Sequence, residues 1–292
     1  MHSKHYVPAR SGRTPYTVAL TQEAAGWDHC SLHVVELGPG QSHHAHSRSD
    51  EIVVVPLSGS CTVAAGDESC ELAGRDSVFD GPTDFVYIGR DSSYTVSSAR
   101  GGRFALGGAR AERTLPFRYG PAAGVAVELR GAGNCSRQVH NFATADTFEA
   151  DSIIACEVIT PGGNWSSYPA HKHDEHTDSE TPLEEIYYFE FACGADGSPG
   201  FGYQRVYGTP QRPIDVLEEV RDGDVVLVPH GYHGPSIAAP GHHMYYLNIM
   251  AGPGPERIWR ISDDPAHAWL RGTWADLAID PRLPMNASET RR

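Results

Sequence analysis

Glycine and proline cut this chain into short apolar runs that recur roughly every ten residues, too short for the helices of a bundle and suited to the strands of a sandwich or barrel. In the first half the runs cover residues 16–20, 31–37, 51–55, 60–65, 77–79, 85–88 and 94–96, and they are rich in β-branched and aromatic types. The second half repeats the rhythm at 152–160, 185–191, 202–207, 224–229 and 244–250. Each half holds one strand that stops at a Pro/Gly turn, then a His-rich loop, then a strand opening with Glu. Leu37-Gly-Pro-Gly leads to His44-Ala-His46 and Glu51, and Ile159-Thr-Pro-Gly-Gly leads to His171-Lys-His173 and Glu185. The repetition predicts an all-β chain built by internal duplication of one β-barrel unit. Residues 1–140 form the first barrel and 141–275 the second, with a softer linking stretch at 115–141 and a tail at 276–292. Helix is expected only in a little of the C-terminus, and 285–292 is expected to fray.

Composition narrows the function. Thirty-seven acidic against 23 basic residues give a net charge of −14 over 292 residues, a field that opposes a phosphate backbone, so no nucleic-acid partner is expected. No window approaches the apolar length of a membrane helix, and the start lacks the apolar core of a signal peptide, so no membrane partner is expected. Six cysteines (30, 61, 70, 135, 156 and 193) show no CxxC and no regular spacing. That pattern reads as reduced, mostly buried thiols in a cytoplasmic protein. The 16 histidines cluster, and the cluster is where chemistry is expected.

His171 and His173 lie two apart, so in a strand both side chains point to one face. Glu185 opens an apolar strand, where a carboxylate is costly unless it meets a cation. A third imidazole from a later strand, in the segment Gly223-Asp-Val-Val-Leu-Val-Pro229-His-Gly231-Tyr-His233, completes three nitrogen ligands and one oxygen. Such a set suits one divalent transition metal per chain, zinc first, with manganese, iron or nickel as alternatives, and an open coordination position points to catalysis. Glu184 and Glu185 face opposite sides of their strand, and Glu185 leads the in-phase series Glu185, Tyr187, Phe189. Between His230 and His233 strand phase does not decide, because Gly231 turns the chain. The first half has no histidine where a third imidazole would fall, so its His44, His46 and Glu51 read as the remnant of a structural barrel.

These HxH…E and G-x5-P-x-G…H segments resemble the two cupin motifs, and the duplication resembles a bicupin, a pair of double-stranded β-helix (jelly-roll) domains. Four blocks in order resemble the 5-deoxy-glucuronate isomerase (IolB) family of myo-inositol catabolism, which is related to isomerases of 5-keto-4-deoxyuronate. They are Pro169-Ala-His-Lys-His-Asp174, Leu183-Glu-Glu-Ile-Tyr-Tyr-Phe189, Asp222-Gly-Asp-Val-Val-Leu-Val-Pro229 and Tyr245-Tyr-Leu-Asn-Ile-Met-Ala-Gly252. The long His173-to-Glu185 spacing departs from an ordinary cupin and is similar to this family. The resemblance implies metal ligands at His171, His173, Glu185 and His233, with the motif selecting His233 over His230. It also implies conversion of 5-deoxy-D-glucuronate to 5-dehydro-2-deoxy-D-gluconate.

An aldose–ketose isomerase must polarise a carbonyl, remove the neighbouring C–H proton and return it. The candidates for moving that proton are Lys172, Asp174, Tyr187 and Tyr246. The small anionic sugar-acid substrate needs a local cation, for which Arg205 is the choice, because guanidinium matches carboxylate with two parallel hydrogen bonds. Gln204 has the opposite phase, so one of the two faces the barrel interior. Asn248 and Tyr246 share a strand face and can bond substrate hydroxyls. The region of Trp259 and Trp269 reads as barrel edge or subunit contact, and pairing of cupin edges makes a homo-oligomer the expected state. Two other classes stay open: a cupin dioxygenase, marked by iron and oxygen consumption, and a non-catalytic sugar-binding bicupin, marked by binding without turnover.

Overall fold

A computed structural model describes residues 2–286. Its first barrel is a nine-stranded antiparallel sheet organised by one long strand, Asp50–Ala65, which pairs with Phe85–Ile88 and Gly102–Arg110 at one end and with Glu68–Arg75 and Ser93–Ser98 at the other. Period-two alternation sends Ile52, Val54 and Val63 into this barrel with Val86, Val96 and Phe104.

The second barrel is a sandwich of two sheets. One has seven strands in the order Tyr6–Val7, Val225–Val228, Glu184–Phe191, Met244–Ala251, Ile154–Thr160, Arg137–Ala143 and Ala126–Arg130. The other contains Asp215–Val220, Gly202–Tyr207, Tyr232–Ala238, His171–Lys172 and Ser262–Asp263, with Trp165–Ser166 alongside. Between them lie Cys156, Tyr187, Phe189, Val206, Val226 and Tyr246.

The seven-stranded sheet is covered on both faces, which is why 185–191 and 244–251 read as continuous apolar runs. Its second face, with Ile186, Tyr188, Leu227, Leu247 and Ile249, packs on Leu32, Val34, Val53, Val55 and Ala105 of the first barrel. Gly107 permits that approach, since a Cβ there would run into Ile249 Cδ1. Two glutamates staple the barrels reciprocally. Glu51 accepts the backbone N–H groups of Asp151, Ser152 and Ile153 at 2.8, 2.6 and 2.5 Å. Glu184 accepts those of Asp28, His29 and Cys30 at 2.9, 2.8 and 3.0 Å.

Several expectations change. The stretch 115–141 is not a plain linker: Arg118–Gly120 joins the first barrel, while Ala126–Arg130 and Arg137–Ala143, which spans residue 140, belong to the second. The N-terminal strand Tyr6–Val7 also crosses to the second barrel, where Tyr6 Oη donates to Asp224 at 2.8 Å. Helix is present near both ends: a one-turn α-helix at Gln22–Ala25, capped by Thr21 and the left-handed Gly26, and a 3-10 segment at Ala268–Asp276. Met285 does not fray. It is buried, and it exchanges backbone hydrogen bonds with the Gln138 side chain; residues 287–292 lie outside the described residues. All six cysteines are free, and Cys30, Cys61, Cys135 and Cys156 are buried. Among the described residues, no helix is long and apolar enough to cross a membrane.

Candidate metal centre

Three strands of the second barrel aim side chains at one point. His171 and His233 are cross-strand partners, so their rings lie 4.4 Å apart. Glu185 enters from the opposite sheet, and its Oε2 stands 3.0 Å from His173 Nε2 and 3.1 Å from His233 Nε2. His173, Glu185 and His233 present ligand atoms within 4.8 Å of one another, and all three are buried. His171 is beside this trio rather than within it.

The histidines are oriented by backbone. Nδ1 of His171, His173 and His233 lies 3.3, 3.1 and 3.2 Å from the carbonyl oxygens of Pro169, Leu183 and Gly231 respectively. A carbonyl can only accept, so each Nδ1 carries a proton and each Nε2 is the ring nitrogen turned toward the cluster; loss of the Nε2 proton that His173 shares with Glu185 gives the tautomer a metal needs. His233 Nε2 lacks the alignment for a hydrogen bond and has no such partner despite its burial. Burial alone would raise the Glu185 pKa, but neighbouring His233 and the hydrogen bond from His173 hold it at about 2. Burial, reinforced by His233 and His173, pushes His171 well below the ordinary imidazole value. Burial also acts to lower His173, but Glu185 outweighs it and the net shift is upward. An anionic carboxylate, oriented imidazoles and an orphaned buried nitrogen fit a divalent transition metal.

A cavity of about 360 Å³ touches His171, beside the cluster, and is lined further by Arg130, Arg137, Trp259, Ile261, Asp263 and Arg271. Arg130 pairs with Glu128 and Arg271 with Asp263, both through two hydrogen bonds. Arg137 is 4 % exposed, and its hydrogen bond goes to the Cys135 carbonyl at 3.1 Å. Burial pushes its guanidinium down to about 10; Tyr246 opposes the shift, while Arg130 and Arg271 add to it. A larger cleft of about 1180 Å³ between the barrels, lined by residues including Arg10, Arg103 and Glu190, contains none of the four expected ligands.

A profile of the KduI/IolB family matches residues 3–270. The chain belongs to the KduI/IolB family. The 5-deoxy-glucuronate isomerase of Geobacillus thermodenitrificans is 41 % identical over 256 residues, 87 % of this chain and 90 % of the relative. That of Bacillus subtilis strain 168 is 40 % identical over 240 residues, 81 % and 86 % of the two chains. The crystal structure of an IolB-like protein from Salmonella typhimurium superposes with a TM-score of 0.83 at 34 % identity, covering 91 % of this chain and 98 % of that one. Lactobacillus farciminis oxalate decarboxylase shares the architecture, with a TM-score of 0.63 at 11 % identity over 90 % and 89 % of the chains. The fold is a bicupin.

Within this KduI/IolB chain the other expected site residues separate into three groups. Tyr187, Tyr246, Asn248 and Gln204 face the interior of the second barrel, and all are buried. Tyr187 and Tyr246 share Ser167 Oγ at 3.1 Å each, and the Tyr187 ring lies 6.1 Å from that of His233. Gln204 accepts a hydrogen bond from Ser236, and Asn248 donates to the Ile186 carbonyl at 3.4 Å. Lys172 and Asp174 bond each other at 2.8 Å, with Glu180 completing the Lys172 pairing and Gly231 N and Arg212 that of Asp174. They brace the segment that carries His171 and His173. Arg205 is not brought to the centre: it faces outward from its strand and pairs with Asp215. The KduI/IolB mouth instead takes its cations from Arg130, Arg137 and Arg271, which the sequence reading missed. The first-barrel set does not assemble, since His44 bonds Thr95, His46 accepts from Arg48 N, and Glu51 is spent on the staple.

Proposed function

We propose that this chain is a metal-dependent aldose–ketose isomerase that converts 5-deoxy-D-glucuronate to 5-dehydro-2-deoxy-D-gluconate in myo-inositol breakdown. The observation that carries the reading is the buried His173–Glu185–His233 cluster, with an arginine-lined cavity at the neighbouring His171, in a chain about 40 % identical to proteins named for that reaction. His173, Glu185 and His233 hold the metal, with His171 as the fourth ligand and zinc as the first choice for nitrogen and carboxylate donors. The metal supplies Lewis-acid polarisation of the substrate carbonyl. The chain's own residues supply hydrogen bonds and positioning. Tyr187 keeps its phenolic proton, because burial and then the Glu185 charge push its pKa well above the ordinary value; it acts as a donor next to the cluster. Gln204, Asn248 and Tyr246 offer hydrogen bonds to hydroxyls. Lys172 is held as ammonium, because its partners Asp174 and Glu180 outweigh its burial, so it and Asp174 position the ligand loop.

Turnover of 5-deoxy-D-glucuronate by the purified protein, before and after chelation and with single divalent metals restored, tests the proposal. Keto-acid formation that vanishes on chelation and returns with one metal is the expected result. Stoichiometric metal binding without turnover would overturn it.

A further inference from the structure

We infer that Arg137 is the residue that holds the substrate carboxylate, and so selects uronates over neutral sugars. The inference rests on the isomerase reading and adds a named anion-binding residue to it. Three arginines line the mouth, and two are already neutralised: Arg130 by Glu128 and Arg271 by Asp263. Among the described residues no carboxylate pairs with Arg137, although its side chain is the most buried of the three. A guanidinium removed from water and left with one carbonyl is costly unless an anion completes it. Its fork is held in place: the Cys135 carbonyl takes one N–H, and the Trp274 ring lies 5.9 Å from the guanidinium carbon. An Arg fixed in that way offers its remaining N–H groups to a carboxylate with little further ordering.

Position supports the same assignment. Arg137 and His171 line one cavity, so a ligand there can touch both the guanidinium and the histidine that stands beside the cluster. The aldehyde and the carboxylate are opposite ends of a six-carbon chain. With the aldehyde end at the cluster, the carboxylate extends along the cavity toward Arg137. Arg205 cannot do this, because its guanidinium is bound to Asp215 on the outer face.

The test compares wild type, Arg137→Met and Arg137→Lys on 5-deoxy-D-glucuronate and on 5-deoxy-D-glucose, the same chain with the carboxylate replaced by an alcohol. In Arg137→Met, kcat/KM for the uronate is expected to fall about 100-fold, mostly through KM, with activity on the neutral analogue unchanged. Arg137→Lys keeps the charge without the fork and is expected to lose about 10-fold; it serves if the Met variant fails to fold. Binding of D-glucuronate, followed by tryptophan fluorescence, gives a readout independent of turnover and is expected to weaken in the same order. Metal content is expected to match wild type, and the melting temperature of the free protein to match or exceed it, since the unpaired guanidinium is gone. Wild-type turnover decides the isomerase reading by itself. With turnover present, a folded and metal-loaded variant that keeps both its affinity for D-glucuronate and its preference for the uronate overturns the assignment of Arg137.

Discussion

Two phenols converge on one serine in the second barrel, and Tyr187 also stands near His233 of the buried cluster. Replacing Tyr187 by Phe removes one hydroxyl and leaves the ring in place. Ser167 still bonds Tyr246, so the stability cost is about 1 kcal/mol. If the Tyr187 hydroxyl donates the proton, kcat falls about 100-fold or more while metal content is unchanged. Kinetics beside elemental analysis check this, and a kcat within twofold of wild type would return Tyr187 to a packing role. The choice of Glu185 over Glu184 was legible because a strand's period of two puts neighbours on opposite faces, and only Glu185 is in phase with Tyr187 and Phe189. Arg137 was not legible. Its strand places Gln138 and His140 toward the first barrel, so polar residues fall on both faces and no apolar alternation marks it as a strand. Arg205 misled because phase says that either it or Gln204 faces inward, without saying which.

At the scale of elements, the duplication is clearest in the two glutamate staples. Glu51 shares strand phase with Val53 and Val55, as Glu184 does with Ile186 and Tyr188, and all four apolar partners lie in the core between the barrels. Glu51 therefore corresponds to Glu184, not to Glu185 of the His173–Glu185–His233 cluster, and the apparent HxH…E of the first half is one residue out of phase with that cluster. Sequence alone hid this, because both halves show a Glu at the start of a strand. Substituting Glu184 by Ala releases three backbone N–H groups and is expected to cost about 2–4 kcal/mol, read as a lower urea midpoint with metal content retained. Glu185→Ala is expected to lose the metal instead. Loss of metal from the Glu184 variant would contradict the phase assignment.

At the scale of the whole molecule, a buried ion pair spans the two barrels. Arg75 of the first barrel meets Glu157 of the second, and Glu157 also bonds His140 at 3.2 Å and accepts from Tyr245 Oη at 2.6 Å. Burial alone would raise the Glu157 pKa, but Arg75 and then His140 hold it at about 2. A folded-state pKa below the unfolded value contributes stability that is complete above the unfolded carboxylate range and fades as pH falls toward the folded value. The window therefore runs from about pH 5 down to about pH 2, and a shift of this size corresponds to roughly 3 kcal/mol. Arg75→Met strands the carboxylate and is expected to cost about 3–5 kcal/mol at pH 7. Because the stranded Glu157 then protonates readily, this deficit should shrink as pH falls. Adding Glu157→Gln to Arg75→Met removes the charge but keeps an acceptor for His140 and Tyr245, so most of the stability at pH 7 should return. Urea unfolding of the three proteins between pH 7 and pH 4 checks the argument. A deficit in Arg75→Met that is constant with pH, or that the second substitution leaves unrelieved, would mean that the guanidinium's packing rather than its charge joins the barrels.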